Sequence, residues 1–127
     1  RTGMDDRDEP RQFSSWHPLS ESGLEEYAPS QPAAVQVRLA DGLVDYPDGH
    51  SAMVGYLVAS ESVRDALARL FDDEIESPGA RGLGPLEFRT YSGAGARRWM
   101  ARLMFKFEDT FGAMPLFNQP SDEHATR

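Results

Sequence analysis

Hydrophobic and polar residues alternate in ways that mark out the folded elements. Val35, Val37 and Leu39 are separated by Gln36 and Arg38, the period of a half-buried strand. Asp41-Gly42 then marks a turn, with Leu43-Val44 extending the strand pair, and Pro47-Asp48-Gly49 marks a second. The run from Ala52 to Val58, the most apolar in the chain, reads as a central strand, and Gly55 within it predicts close approach by another backbone. Val63, Ala66, Leu67, Leu70 and Phe71 recur at helical spacing, predicting a helix capped by Ser60 or Ser62 and running to about Ile75. A glycine-rich stretch from Ser77 to Pro85 follows, read as a long connection. Leu86, Phe88 and Thr90 then alternate with Glu87 and Arg89 as a further strand. A long helix is expected from Ala96 to about Phe111, stopped by Gly112 and Pro115. Upstream, Ser22-Gly23-Leu24-Glu25 has the form of a capping box for a short helix reaching Tyr27, ended by Pro29 and Pro32.

The order is a short helix and then β-β-α-β-α. Each helix carries one apolar stripe, and a small, mostly antiparallel sheet would bury both long helices. This is an α+β architecture. The 127 residues fit one domain. That domain is expected over 14–118, between a charged, flexible arm at 1–13 and a loose polar tail at 119–127; Arg1, Thr2 and Gly3, ahead of Met4, read as an appended scar.

Composition narrows the chemistry. The chain has no cysteine, so disulfides and thiolate metal sites are excluded. No apolar run approaches the roughly 20 residues that span a bilayer, and the polar, acidic start has no apolar leader segment. The expectation is a cytoplasmic protein with no membrane partner. Net charge is −8 but unevenly spread: residues 1–32 carry −4, residues 33–75 carry −5 and residues 76–127 carry +1. The overall acidity disfavours nucleic acid as a partner without removing it.

The candidate reactive groups are sparse. His17, His50 and His124 are not spaced as a metal pair, and the Asp45-to-His50 segment reads as a polar hairpin turn ahead of a metal site. Gly79, Gly82 and Gly84 are not followed by the Gly-Lys-Ser/Thr of a phosphate loop. Ser14, Ser15 and His17 lack a nucleophile elbow. No catalytic residue, metal site or cofactor is assigned.

Four short segments carry a resemblance. Pro32-Ala33-Ala34-Val35 begins the first strand and Met53-Val54-Gly55 lies on the next. Ala96 to Leu103 is helical, and Pro115-Leu116-Phe117-Asn118 closes the domain. In this order, from roughly Pro18 to Asn118, the chain resembles a GIY-YIG nuclease-fold domain. The resemblance implies motif tyrosines on the two strands, a helical arginine, a metal-binding glutamate on the later helix and an asparagine near the end. Gly55 and Asn118 match. The first motif has no tyrosine, and Met53 stands where the second motif's tyrosine is expected. The helical arginine falls near Ala66, with Arg64 close by. Met100 stands at the glutamate position, where a thioether cannot serve a cation that requires hard oxygen ligands. What the resemblance implies is therefore a degenerate member, a non-catalytic interaction module on a nuclease-like scaffold. The alternatives are a divergent metal-dependent nuclease drawing on Glu87 or Glu108, or a nucleic-acid-binding protein.

The last helix offers the sharpest binding candidate. Its apolar face is expected to hold Trp99, Met100, Leu103, Met104 and Phe107. Arg98, Arg102 and Lys106 recur at i, i+4 on the other side, with Phe105 beside them. An aromatic flanked by cations on an acidic protein marks a contact face for a protein partner, a second copy included.

Overall fold

A computed structural model describes residues 13–72, 84–92 and 95–118. The elements in chain order are β1 (His17–Pro18), α1 (Glu21–Tyr27), β2 (Ala33–Leu39), β3 (Val44–Tyr46), β4 (Gly49–Ser51), β5 (Met53–Ala59), α2 (Val63–Leu70), β6 (Leu86–Tyr91), α3 (Ala96–Phe111) and a closing 3-10 turn (Leu116–Asn118). Four strands form an antiparallel sheet in the order β1-β6-β2-β5, and β3 and β4 pair as a separate hairpin. The fold is α+β, as the periodicities predict.

The central strand β2 pairs on both sides, with Val37 opposite Phe88 of β6 and Gly55 of β5. Val35 and Val37 point to one face, where they meet Leu24 of α1, Val63 and Leu67 of α2, and Phe71. Ala34 points to the other face, which is closed by Tyr46, Tyr56, Met100 and Phe107. Helices α1 and α2 therefore lie on one face of the sheet and α3 on the other. A register shift between Val37 and Arg38 places Val54 on the same side as Gly55. This is a β-bulge, which turns the following residues Tyr56 and Val58 toward α3.

Several boundaries differ from the sequence reading. The cap of α1 is Ser20, whose side chain accepts from the Gly23 amide at 3.0 Å, so Ser22 lies inside the helix. Gly23 is needed for space: a Cβ there would collide with the Pro18 carbonyl oxygen. Val44 belongs to the β3–β4 hairpin, not to an extension of β2. Ser62, not Ser60, caps α2 by accepting from Asp65 at 3.1 Å. Helix α2 ends at Leu70, and Leu70 of the expected apolar stripe is exposed. Ile75 and most of the glycine-rich connection lie outside the described residues, as do 1–12 and 119–127. Gly112 ends α3 at φ 80°, where a Cβ would also press on Asp48 Oδ2 at 2.7 Å.

Phe13, assigned from sequence to the flexible arm, packs on the sheet. Its ring lies 5.7 Å from that of Tyr91, and the Arg89 guanidinium stands 4.1 Å from its centre. Ser14 continues the pairing, donating its amide to the Thr90 carbonyl and accepting from the Thr90 amide through its hydroxyl. Trp16 receives the guanidinium of Arg38 at 4.0 Å and that of Arg89 at 4.7 Å. The side chains of Phe13 and Trp16 thus cover part of the sheet face beside α3, while His17 and Pro18 extend the sheet at its edge.

Asn118 completes the outer edge of β5. It accepts from the Tyr56 amide at 2.8 Å and donates to the Tyr56 carbonyl at 2.7 Å, taking the place of a neighbouring strand. Asn118→Ala should leave both Tyr56 groups without this partner and lower the unfolding free energy by about 2 kcal/mol. Asn118→Asp keeps the acceptor but sets a carboxylate against a carbonyl, and should cost at least as much. Urea denaturation with an unchanged m-value checks both, and wild-type stability in the alanine variant would show that the brace contributes nothing.

Candidate functional site

Two places combine residues singled out from the sequence. The first surrounds Tyr56. Gly55 and Asn118 meet there, with Asn118 Oδ1 3.9 Å and Phe117 Cβ 3.6 Å from where a Gly55 Cβ would stand. The close backbone approach expected at Gly55 is absent: its nearest neighbours are side-chain atoms of Phe117, Asn118 and Val37 at ordinary contact distance, which leaves room for an alanine. Met100 is 1% exposed and shares a cluster with Tyr46, Tyr56 and Phe107, against which Met53 is half-buried. Met53 and Met100 therefore share the Tyr56 side-chain cluster on the α3 face, whereas Gly55 opens toward the other face and Asn118 binds the Tyr56 backbone.

Tyr46, which the sequence reading left within a polar turn, ties this cluster together. Its hydroxyl donates to the Met53 carbonyl at 2.8 Å and accepts from the Leu116 amide at 3.1 Å. Burial raises its pKa above the ordinary phenol value, against the opposing effect of the Leu116 amide. Tyr56 is pushed further, to about 12, chiefly by burial; Arg89 offsets part of the rise and Tyr46 adds to it. Both phenols are therefore neutral at ordinary pH.

A small cavity of about 180 Å³ opens beside the cluster, lined by Gly55, Tyr56, Leu57, Leu70, Phe71, Phe117 and Asn118. Among the described residues no carboxylate lines it. Glu87 lies on β6 and is paired with Arg38 at 2.9 Å, and Glu108 is exposed on α3. Among the described residues no group of three or more His, Asp or Glu side chains is placed to share a metal ion. In the β3–β4 hairpin, His50 Nε2 stands 3.3 Å from Asp45 Oδ1 at the surface. Arg64 is also committed elsewhere. It donates to the carbonyls of Glu25 and Ala28, closing the C-terminal end of α1.

The second place is the outer side of α3. Arg98, Arg102, Phe105 and Lys106 are all exposed, and with Ala101 and Asp109 they line one shallow depression. Phe105 is 74% exposed, although Met100 and Phe107 on the same helix are buried. The Arg102 guanidinium lies 5.2 Å from the Trp99 ring centre, which holds part of the basic row against the helix.

Sequence reasoning missed the stack of Phe13, Arg89, Trp16 and Arg38. A signal existed: Arg38 and Arg89 occupy the polar phase of two predicted strands, and aromatics precede the first helix at Phe13 and Trp16. Only strand pairing brings these residues to one face.

No family model, curated protein or solved structure matches this chain. Among the described residues no helix is long and apolar enough to cross a membrane.

Two outcomes test the Tyr56 cluster. Met100→Glu should lower stability by about 3 kcal/mol at neutral pH, because a carboxylate would enter a site closed by aromatic rings. Burial would raise the pKa of the new carboxyl, so the loss should shrink as pH falls below about 5. Unfolding curves at both pH values check this, and equal losses would contradict the burial. For Tyr56, the folded pKa lies above the unfolded value of about 10. Its contribution is therefore fully present below about pH 10 and is lost as pH rises through about 12, a change on the order of 2 kcal/mol. Tyr56→Phe should flatten that alkaline loss, read as melting temperature against pH.

Proposed function

We propose that this protein is a non-catalytic interaction module, built on a GIY-YIG-like α+β scaffold, that holds an acidic protein segment against the outer face of α3. The observation that carries the reading is Phe105, exposed at 74% and bordered by Arg98, Arg102 and Lys106 on a chain whose net charge is −8. An exposed phenyl ring supplies apolar area that water does not favour. Three cations beside it select against basic partners and favour carboxylates. Aromatic and arginine side chains are also the types that dominate interface energetics.

The Tyr56 cluster supports the non-catalytic half of the reading. Met100 stands in the hydrophobic core at the position where the resemblance implies a metal-binding glutamate, and Asn118 is engaged by the backbone of β5. Both residues act as structure there. A protein segment is favoured over nucleic acid because the chain as a whole repels a polyanion while the basic row is short. The same reading keeps the cytoplasmic setting expected from the sequence, and a cysteine-free chain needs no oxidising compartment.

The test is selection from a displayed library of short acidic peptides that each carry one apolar residue. Wild-type protein should retain such peptides with dissociation constants of roughly micromolar size. Arg98→Glu combined with Arg102→Glu, and separately Phe105→Ala, should each weaken the best peptide at least about tenfold with melting curves unchanged. Failure to retain any acidic peptide, or equal binding by the folded variants, would overturn the proposal.

A further inference from the structure

Resting on the reading of α3 as a protein-binding face, we propose that the segment it holds belongs to a second copy of this chain: the groove between α1 and α2. The groove lies on the opposite face of the sheet from α3 and is lined by Glu21, Leu24, Glu25, Asp65, Ala68 and Asp72, with Arg64 alongside. Glu21, Glu25, Asp65 and Asp72 are all exposed, while Leu24 is buried at the base. Among the described residues Arg64 is the one cation of the lining, and its guanidinium already donates to the backbone at the end of α1. The groove therefore offers four carboxylates around an apolar floor. The α3 face offers three cations and one carboxylate, Asp109, around a phenyl ring.

The two surfaces also agree in spacing. Glu21 and Glu25 stand one helical turn apart on α1, while Asp65 lies in the first turn of α2 and Asp72 just beyond its C-terminal end. Arg98, Arg102 and Lys106 are spaced by one turn on α3. Rows of the same pitch meet repeatedly when two helices lie along one another. The groove, at about 350 Å³, has room for a phenyl side chain such as Phe105 over Leu24 and Ala68.

Charge also fixes the mode of assembly. Two α3 faces placed together would oppose like charges, as would two grooves. Docking of α3 on one copy into the α1/α2 groove of the next leaves a free groove at one end and a free α3 at the other. Such a heterologous contact adds further copies until a ring closes or an open filament forms.

The test uses the full chain in sedimentation experiments. Wild-type protein should associate beyond a dimer as concentration rises from about 5 to about 500 µM. That association should fall at least about tenfold when salt rises from about 0.05 to about 0.5 M. One variant, Arg98→Glu with Arg102→Glu, removes the α3 face. A second, Glu21→Gln with Glu25→Gln and Asp72→Asn, neutralises the groove. Each alone should sediment as a monomer with an unchanged melting curve, and Phe105→Ala should associate at least about tenfold more weakly than wild type. Mixed in equal amounts, the first two should form a one-to-one dimer and stop, because the mixture contains only one competent pair of surfaces. A wild-type protein that stays monomeric throughout, or a mixture that does not pair, overturns the inference. If acidic peptides still bind the α3 face in that case, only the identity of the partner is wrong. If they also fail to bind, the reading of α3 falls with it.

Discussion

The whole arrangement depends on the central strand β2 being buried from both sides. Val35 and Val37 are fully buried on one face, and Ala34 is fully buried on the other. Gln36 is also buried on this second face, and a buried amide needs a partner. Arg89 supplies it, donating through Nε at 2.7 Å. That arginine must then be covered without losing its charge to an unfavourable setting. Phe13 and Trp16 cover it, and Trp16 also receives Arg38, which pairs with Glu87. One polar residue in the central strand thus accounts for Phe13 and Trp16 folding over the sheet from the N-terminal edge segment.

The same strand explains why α3 sits to one side. Ala34 is small and Tyr56 lies near it across the register, so the helix can approach closely and insert Met100 and Phe107. The bulge at Val54 is what aims Tyr56 at that helix. Once Tyr56 faces α3, its backbone lies at the sheet edge, and Asn118 closes that edge. Met100, Tyr56 and Asn118 thus act together as a packing unit. Aromatic edge contacts of Tyr46 and Tyr56 with Phe107, at 5.0 and 6.1 Å, complete it.

Burying the sheet on both sides also sorts the charge. The helices on one face come from the acidic part of the chain, and the helix on the other comes from the part with net charge +1. The outward surfaces therefore differ in sign without any single residue being unusual.

The sequence by itself determined the elements whose signal is local. The alternation around Val35 and Leu86, and the helical stripe from Ala96 to a glycine stop at Gly112, each depend on neighbours a few residues away. It also determined that Met100 faces inward and Arg98, Arg102, Phe105 and Lys106 outward, since helix phase fixes both at once. Only the tertiary structure decided which strands are neighbours, and with that the stack of Phe13, Arg89, Trp16 and Arg38. It likewise decided that Tyr46 is a buried bridge and not part of a polar turn, and that Asn118 serves the backbone of β5. Those contacts join residues far apart in the chain, such as Tyr56 and Asn118 or Gln36 and Arg89. Their partners are selected by sheet order and a one-residue bulge, and neither leaves a periodic trace in the sequence.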